Sequence, residues 1–532
     1  MQKESGEKPG NIQKDMGVIS KQDIIEILGL QLGIPQVSLY KYFIDPAAVK
    51  AIPDHLAKRL KAVPINKEGD SLVVAMSNPL DIYAIDDIRL TSGLNVKPVL
   101  ADEDEIISII NQHYSMKGSI EQVIDELIET EPGIRKADVE TEIEASEKAP
   151  VVKLVNSIIQ QGIIDGASDI HIEPGENTVR IRYRIDGQLH EIMKFPKHLH
   201  NALTARIKII SDMDITIKRH PQDGRKKFEY GRQQVDLRIS TLPTVYGEKI
   251  AIRILDRDKN FFKLGELGFT SENLHEYKKI IKYPYGMILV SGPTGSGKTT
   301  TLYSTLHELN STEKNIVTLE DPVEYMLEGI NQVQIAPKIG LNFAEGLRNI
   351  LRQDPNIIMV GEIRDSETAD IAVRAALTGH LVLSTIHTND SAGAITRLID
   401  MGVEPFLISS SLIGVVAQRL VRRICPKCKK EYEADDRELL ALGIQGPCKL
   451  YKGEGCSLCN NTGYKGRIAV YEILRILKEH RKPITEKAPS DVLKDISVKN
   501  GMKTLKENGI RLVLDGITTL DEILKEITSV EN

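Results

Sequence analysis

Residues Thr178-Val179-Arg180-Ile181-Arg182-Tyr183-Arg184-Ile185 alternate polar and apolar positions with a period of two, which predicts a strand with one buried and one wet face. The turn pair Asp186-Gly187 closes it. Further strand signals recur at Gln234–Ser240 and Lys249–Leu255, and Val151–Gly162 reads as an amphipathic helix, so residues 149–260 form one α+β module. Beyond about Phe262 the pattern changes. Met287–Val290, Asn315–Leu319, Asn356–Val360 and Leu381–Thr385 are short apolar runs separated by helical stretches such as Thr299–Leu309. That alternation predicts a mostly parallel sheet with helices on both faces over residues 261–532. Toward the N-terminus, the helical pattern of Lys21–Leu28 and the strand pattern of Ser71–Met76 predict a small α/β domain over residues 1–115. Residues 116–148 gather acidic side chains and lose their periodicity near Glu131-Pro132-Gly133, which predicts a helix and then a flexible linker.

Composition narrows the functional classes. A chain of 532 residues exceeds one ordinary core, so three or four domains are expected. The net charge of −6 and the lack of a basic stretch interleaved with aromatic residues argue against stable nucleic-acid binding. No apolar run reaches the ~18 residues needed to span a bilayer, and Met1–Lys8 is too polar for a signal peptide, so a cytoplasmic protein is expected. Four of the five cysteines fall in two close pairs, a pattern suited to metal binding in a reducing compartment.

The sharpest chemical signal is Gly292-Pro293-Thr294-Gly295-Ser296-Gly297-Lys298-Thr299-Thr300, which follows an apolar strand and opens a helix. Glycines there let backbone N–H groups crowd round a phosphate chain, Lys298 supplies positive charge and Thr299 offers a hydroxyl to Mg²⁺. The helix dipole faces the same anion, so the chain is expected to bind a nucleoside triphosphate. Acidic turns follow two later strands, ending in Glu324 and Glu362, and a third strand leads to His387. A carboxylate at such a position can activate water or support a metal ion, and His387 can sense a phosphate. Singly, each has a structural alternative as a helix cap or a satisfied surface group.

Taken together, these segments resemble the type II/type IV secretion ATPase superfamily. The match runs through Gly292–Thr300, Thr318–Glu324, Val360–Asp365 and Thr378–His380 through His387-Thr388, with Gly166–Pro174 and Pro221–Arg225 in the middle module. The chain is most similar to the GspE/PilB branch, which assembles type IV pili or drives type II secretion. The resemblance implies a RecA-like P-loop core and a homohexamer with ATP held between middle and C-terminal domains. It assigns phosphates to Lys298, phosphates and Mg²⁺ to Thr299, water activation to Glu324, metal support to Glu362 and nucleotide sensing to His387. Arg225, Arg238 and Arg253 match the family's candidate arginine fingers, with strand-surface ion pairs as their alternative. Implied partners are an inner-membrane platform protein, its cytoplasmic adaptor and, indirectly, pilin-like subunits, placing the protein peripherally at the inner membrane's cytoplasmic face.

Cys425-Pro426-Lys427-Cys428 and Cys456-Ser457-Leu458-Cys459 can each clamp one edge of a tetrahedral ion, so a structural Zn²⁺ site in a lobe at about 420–475 is expected. A redox pair is the rival reading, and Cys448 stands outside both pairs. The N-terminal domain resembles that of branch members that bind cyclic di-GMP through two Leu-Gly-containing motifs. Leu32–Leu39 matches the second in part, whereas Lys8-Pro9-Gly10-Asn11 stands where the first expects Arg-Leu-Gly, which favours docking to a membrane partner over messenger binding. Three functional classes remain: a filament-assembling motor with type II secretion as its near neighbour, a nucleic-acid motor, and a nucleotide-binding scaffold without turnover.

Overall fold

In the computed structural model, residues 44–49, 51–79, 81–113, 150–230, 233–256 and 263–527 are described, with isolated positions at 34, 35, 37 and 39. The expected helix Lys21–Leu28, half of Leu32–Leu39, the first messenger motif and the acidic segment 116–148 lie outside these residues.

Among the described residues, the N-terminal module contains a three-stranded sheet. β1 (Ala62–Glu68) runs antiparallel to β2 (Ser71–Met76), which runs parallel to β3 (Asn95–Leu100). The β2–β3 crossover is the helix Ile82–Ser92, begun by the Asp81 carboxylate on the Ala84 N–H. Leu72, Val74, Ile88 and Ile106 build a core belonging to this module.

The middle module pairs helix Pro150–Ile164 with a six-stranded sheet. Its strands are β4 (Asp169–Pro174), β5 (Thr178–Ile185), β6 (Gln188–Pro196), β7 (Gln222–Tyr230), β8 (Gln233–Thr244) and β9 (Gly247–Asp256), in the order β6-β5-β4-β9-β8-β7. The period-two pattern lands as expected: Ile170, Ile172, Val179, Ile181, Tyr183, Ile250 and Ile252 are buried. Tyr183 donates its hydroxyl to the Ile158 carbonyl at 2.6 Å, joining sheet to helix. The alternate positions of β4 and β5 carry charge. Burial opposes ionisation of Glu173, but Arg182 and Lys249 outweigh it and hold the carboxyl down to about 2. Inside the module Lys208 and Glu248 form a buried ion pair at 2.7 Å, and Lys208 also donates to the Ile217 carbonyl at 2.6 Å.

The C-terminal module has a seven-stranded sheet in the order β12-β11-β13-β14-β10-β15-β18. The members are β10 (Gly286–Ser291), β11 (Ile316–Glu320), β12 (Asn331–Gln334), β13 (Ile357–Val360), β14 (Leu381–Ile386), β15 (Leu412–Ile424) and β18 (Tyr464–Arg475). All neighbours pair in parallel except β15 and β18. Helices cover both faces, which is why β10, β11, β13 and β14 are buried along their whole length. Two apolar clusters fill the faces, one around Leu289, Leu319, Ile358 and Val382, the other around Ile288, Val290, Leu302 and Leu383. This arrangement is the mostly parallel sheet with helices on both faces expected from the apolar runs, and it agrees with the RecA-like core that the resemblance implies.

Between β15 and β18 the chain makes an excursion containing β16 (Lys429–Glu433), the helix Asp436–Leu442 and β17 (Lys449–Gly453). Buried Glu472 on β18 accepts from the N–H and hydroxyl of Ser391 and from the N–H of Leu505, the latter at 3.2 Å. One carboxylate therefore serves the amino ends of two helices, Ser391–Asp400 and Leu505–Leu514. Among the described residues, no helix is long and apolar enough to cross a membrane.

Candidate active site

The chain returns to one edge of the C-terminal sheet four times, and each return delivers a group singled out in the sequence. Lys298 follows β10, Glu324 follows β11, Glu362 follows β13 and His387 follows β14. Because these strands are parallel neighbours, all four groups gather beyond their carboxyl ends, where such sheets place ligands.

The phosphate loop turns on three glycines with positive φ: Gly292 (150°), Gly295 (82°) and Gly297 (88°). A Cβ on Gly292 would meet the Gln418 carbonyl oxygen at 2.6 Å, so β15 leaves no room for a side chain there. Lys298 Nζ donates to the carbonyls of Gly292 and Pro293 at 2.8 and 2.9 Å. Burial pushes its ammonium down to about 8, against the attraction of Glu362 and with the repulsion of Arg419. Thr299 is exposed on the helix Lys298–Leu309. The hydroxyl of Thr299 and the carboxylate of Glu362 are the hard oxygen donors that Mg²⁺ takes, so these side chains fit that ion chemically.

Glu362 is largely buried, with Arg364 at 2.6 Å and the His387 Nε2 at 3.6 Å. Burial, helped by Lys298, lowers the His387 pKa below its usual value, which favours the neutral ring. The turn carrying Glu362 is pinned to β14, because the Thr385 hydroxyl donates to the Gly361 carbonyl at 2.7 Å. Ser291 and Arg419 likewise hold the loop after His387, through the carbonyls of Thr388 (3.0 Å) and Asn389 (2.7 Å). The cap alternative applies nearby instead: Asp365 and Asp390 accept from the N–H groups of Thr368 and Gly393 at the starts of their helices.

Several site residues were not foreseen. Gln418 donates to the Ser296 carbonyl, and Tyr303, Glu320 and Gln332 surround the Glu324 loop. A glutamine directly after the apolar run Val415-Val416-Ala417 was a readable signal. Tyr303 had none, since a tyrosine at helical spacing looks like any core aromatic.

In the middle module, Arg225, Arg238 and Arg253 lie on the neighbouring strands β7, β8 and β9. Arg253 stands opposite Asp169 in the ladder and pairs with it at 3.0 Å, the surface ion pair weighed for it in the sequence. Arg225 is exposed and Arg238 half-buried.

The four cysteine thiols converge within 4.8 Å of one another. Sγ separations are 3.7 Å for Cys425 to Cys456, 3.8 Å for Cys428 to Cys459 and 3.7 Å for Cys456 to Cys459. A tetrahedral Zn²⁺ with Zn–S of about 2.3 Å sets its sulfurs about 3.8 Å apart, so the cluster fits that ion, and the spacing is too wide for disulfides. The N–H groups of Cys456 and Gly463 point at the Cys459 sulfur (3.2 and 3.3 Å), the kind of outer support that metal thiolates receive. Cys448 lies apart from this cluster.

Residues 144–525 match the family described as "Type II/IV secretion system protein", and residues 32–120 match the MshEN domain. A type IV pilus assembly ATPase PilB of Myxococcus xanthus is 44% identical over 98% of this chain and 94% of its own length. A type II secretion system ATPase E of Vibrio cholerae is 48% identical over 72% of this chain and 76% of its own. Among solved structures, the pilus retraction motor PilT with bound ADP is 26% identical and covers 70% of this chain and 96% of its own, with a TM-score of 0.50. The Legionella pneumophila ATPase DotB, 22% identical, shares the fold at a TM-score of 0.54 over 70% of this chain and 94% of its own. Since one family spans the middle and C-terminal modules and full-length relatives share over two-fifths of their residues, this chain belongs to the type II/IV secretion ATPases, in the GspE/PilB branch.

Proposed function

We propose that the protein is the motor of a type IV pilus assembly machine, hydrolysing ATP as a homohexamer at the cytoplasmic face of the inner membrane. The observation that carries this reading is the 44% identity to a pilus assembly ATPase along nearly the whole of both chains, N-terminal module included. The engine would follow from the sheet edge. Lys298 and the loop N–H groups hold the phosphates, Glu324 takes a proton from the attacking water, and His387 registers the terminal phosphate. Thr299 and Glu362 would hold Mg²⁺, which when bound neutralises phosphate charge. Arg225, Arg238 and Arg253 are proposed to complete the site of a neighbouring subunit, where an arginine finger is worth roughly 10³ to 10⁵ in rate. Arg253 would have to leave Asp169 to do so.

The four cysteines are proposed to hold a structural Zn²⁺ that stiffens the lobe between β15 and β18. The N-terminal module, over residues 1–115, is proposed to dock on a membrane platform protein and its adaptor, through which pilin-like subunits are moved. A second reading, type II secretion, is favoured by the 48% identity to the Vibrio cholerae protein over 72% of this chain. The test is a strain whose only copy carries Glu324→Gln. Loss of surface filaments supports pilus assembly, normal filaments with lost secretion support the second reading, and excess filaments overturn both.

A further inference from the structure

We infer that Tyr303 and Glu320 position Glu324, by tying the loop that carries it to the helix that begins in the phosphate loop. This rests on the reading of Glu324 as the group that activates water.

Glu320 ends β11 and is only 4% exposed. Among the described residues it takes part in no ion pair, and each of its two oxygens is met by neutral donors. The Thr318 hydroxyl (2.5 Å) and the Gln332 carboxamide (3.1 Å) donate to one oxygen, and the Tyr303 hydroxyl donates to the other. A buried carboxylate left short of such donors would be costly, so the three are held to it and it to them.

Tyr303 then does something a core tyrosine need not do. Its single proton goes to Glu320, and its oxygen accepts the backbone N–H of Glu324 at 3.3 Å. Burial, then the Glu320 charge, raises its pKa well above the usual range, so the proton stays in place. Its ring meets that of Tyr325 edge-on, with centroids 4.5 Å apart. Gln332, on edge strand β12, clasps the same loop from the other side. Its Nε2 reaches the Tyr325 carbonyl at 3.2 Å and its Oε1 accepts the Leu327 N–H at 2.6 Å.

Residues 321–327 are therefore fastened at two points that meet on one carboxylate. Tyr303 lies little more than one turn after Lys298 on the same helix, so the backbone of Glu324 is referenced to the group that meets the phosphates. A displacement of about 1 Å at a catalytic group can cost 100-fold in rate, which is what such a reference protects against.

The experiment uses the full-length protein. Single-turnover and steady-state ATP hydrolysis and the Kd for a fluorescent ADP analogue are measured for Tyr303→Phe, Gln332→Met, Glu324→Gln and Tyr303→Phe/Glu324→Gln. The expected result is a kcat lowered roughly 10- to 100-fold in Tyr303→Phe. Its ADP Kd should stay within about threefold, because only a transition-state interaction is touched. Gln332→Met should show the same split, and the double variant should be no slower than Glu324→Gln alone. Normal kcat in Tyr303→Phe beside an inactive Glu324→Gln overturns the positioning role only. Equal loss of ADP affinity, or additive losses in the double variant, also overturns it. Normal turnover by Glu324→Gln removes the base assignment, and the positioning role with it.

Discussion

Gln418 Nε2 donates to the Ser296 carbonyl oxygen across 2.6 Å, while its Oε1 accepts the Thr301 hydroxyl at 2.8 Å. One buried carboxamide on β15 thus grips the phosphate loop before Lys298 and the helix after it. Gln418→Leu keeps much of the volume but strips the Ser296 carbonyl of this donor. Leaving a buried polar group unpaired costs about 1–3 kcal/mol, so ATP affinity should fall about tenfold or more. Calorimetric titration of ATP into the variant checks this; unchanged affinity would mean that the loop holds its shape without β15.

Lys298 predicts a pH dependence of nucleotide binding. Its folded pKa is depressed to about 8 from an ordinary lysine value near 10.4. As pH rises through about 8 the free site loses its cation, whereas bound phosphates favour the charged form. The Kd for ATP should therefore rise above pH 8, approaching tenfold per unit, with uptake of nearly one proton on binding. Between the folded and unfolded values the unfolded chain holds the extra proton, so stability without nucleotide should climb with pH in that window. Titrations in buffers of different ionisation enthalpy count the proton.

The thiol cluster predicts where metal loss is felt. Cys425 is fully buried and begins directly after β15, while Leu442 and Leu450 of the lobe share an apolar cluster with Leu512 and Val513 of the C-terminal helices. Cys425→Ser, or chelation, should abolish stoichiometric zinc and raise hydrogen exchange in residues 425–463 and 505–514. ATP affinity should change by less than about threefold, since coupling between metal and fold is local to the ligands' own lobe. Elemental analysis together with exchange mass spectrometry decides this, and ATP binding lost ahead of lobe order would refute it.

In the middle module, Lys208 is 1% exposed and its partner Glu248 is 7% exposed. Glu248→Gln leaves a buried ammonium without its counter-charge, and breaking such a pair costs about 3–5 kcal/mol. Lys208→Met/Glu248→Met should recover most of that loss, because the pair also carried its own desolvation penalty. Hydrogen exchange of β8 and β9, compared across the single and double variants, measures both.

Much of the engine was legible because its logic is one-dimensional. Apolar runs followed by turn residues named β10, β11, β13 and β14, and the groups after them, before any packing was known. The long pair β15 and β18 was not read, since Gly414, Gln418, Arg419 and Arg422 interrupt the apolar run of β15, and its partner lies beyond the cysteine lobe. The lobe expected at about 420–475 from the cysteine pairs contains β16, β17 and a helix, none of which the pairs themselves indicate. What no pattern could supply was convergence. Tyr303, Glu320 and Gln332 come from a helix and two strands, and only the folded ladder, which sets Thr318 beside Gln332, brings their polar atoms to one place.

The carboxylate of Glu472 gives the molecule a mechanical property. Since it fastens helix Ser391–Asp400, which starts a few residues after His387, and helix Leu505–Leu514 to the same strand, the two cannot swing apart without tearing charge-assisted hydrogen bonds. The joint is stiff where a loop joint would be compliant. A load borne by the C-terminal helices would strain the residues beside His387 instead of dissipating on the way, as a transmission requires of its coupling pin.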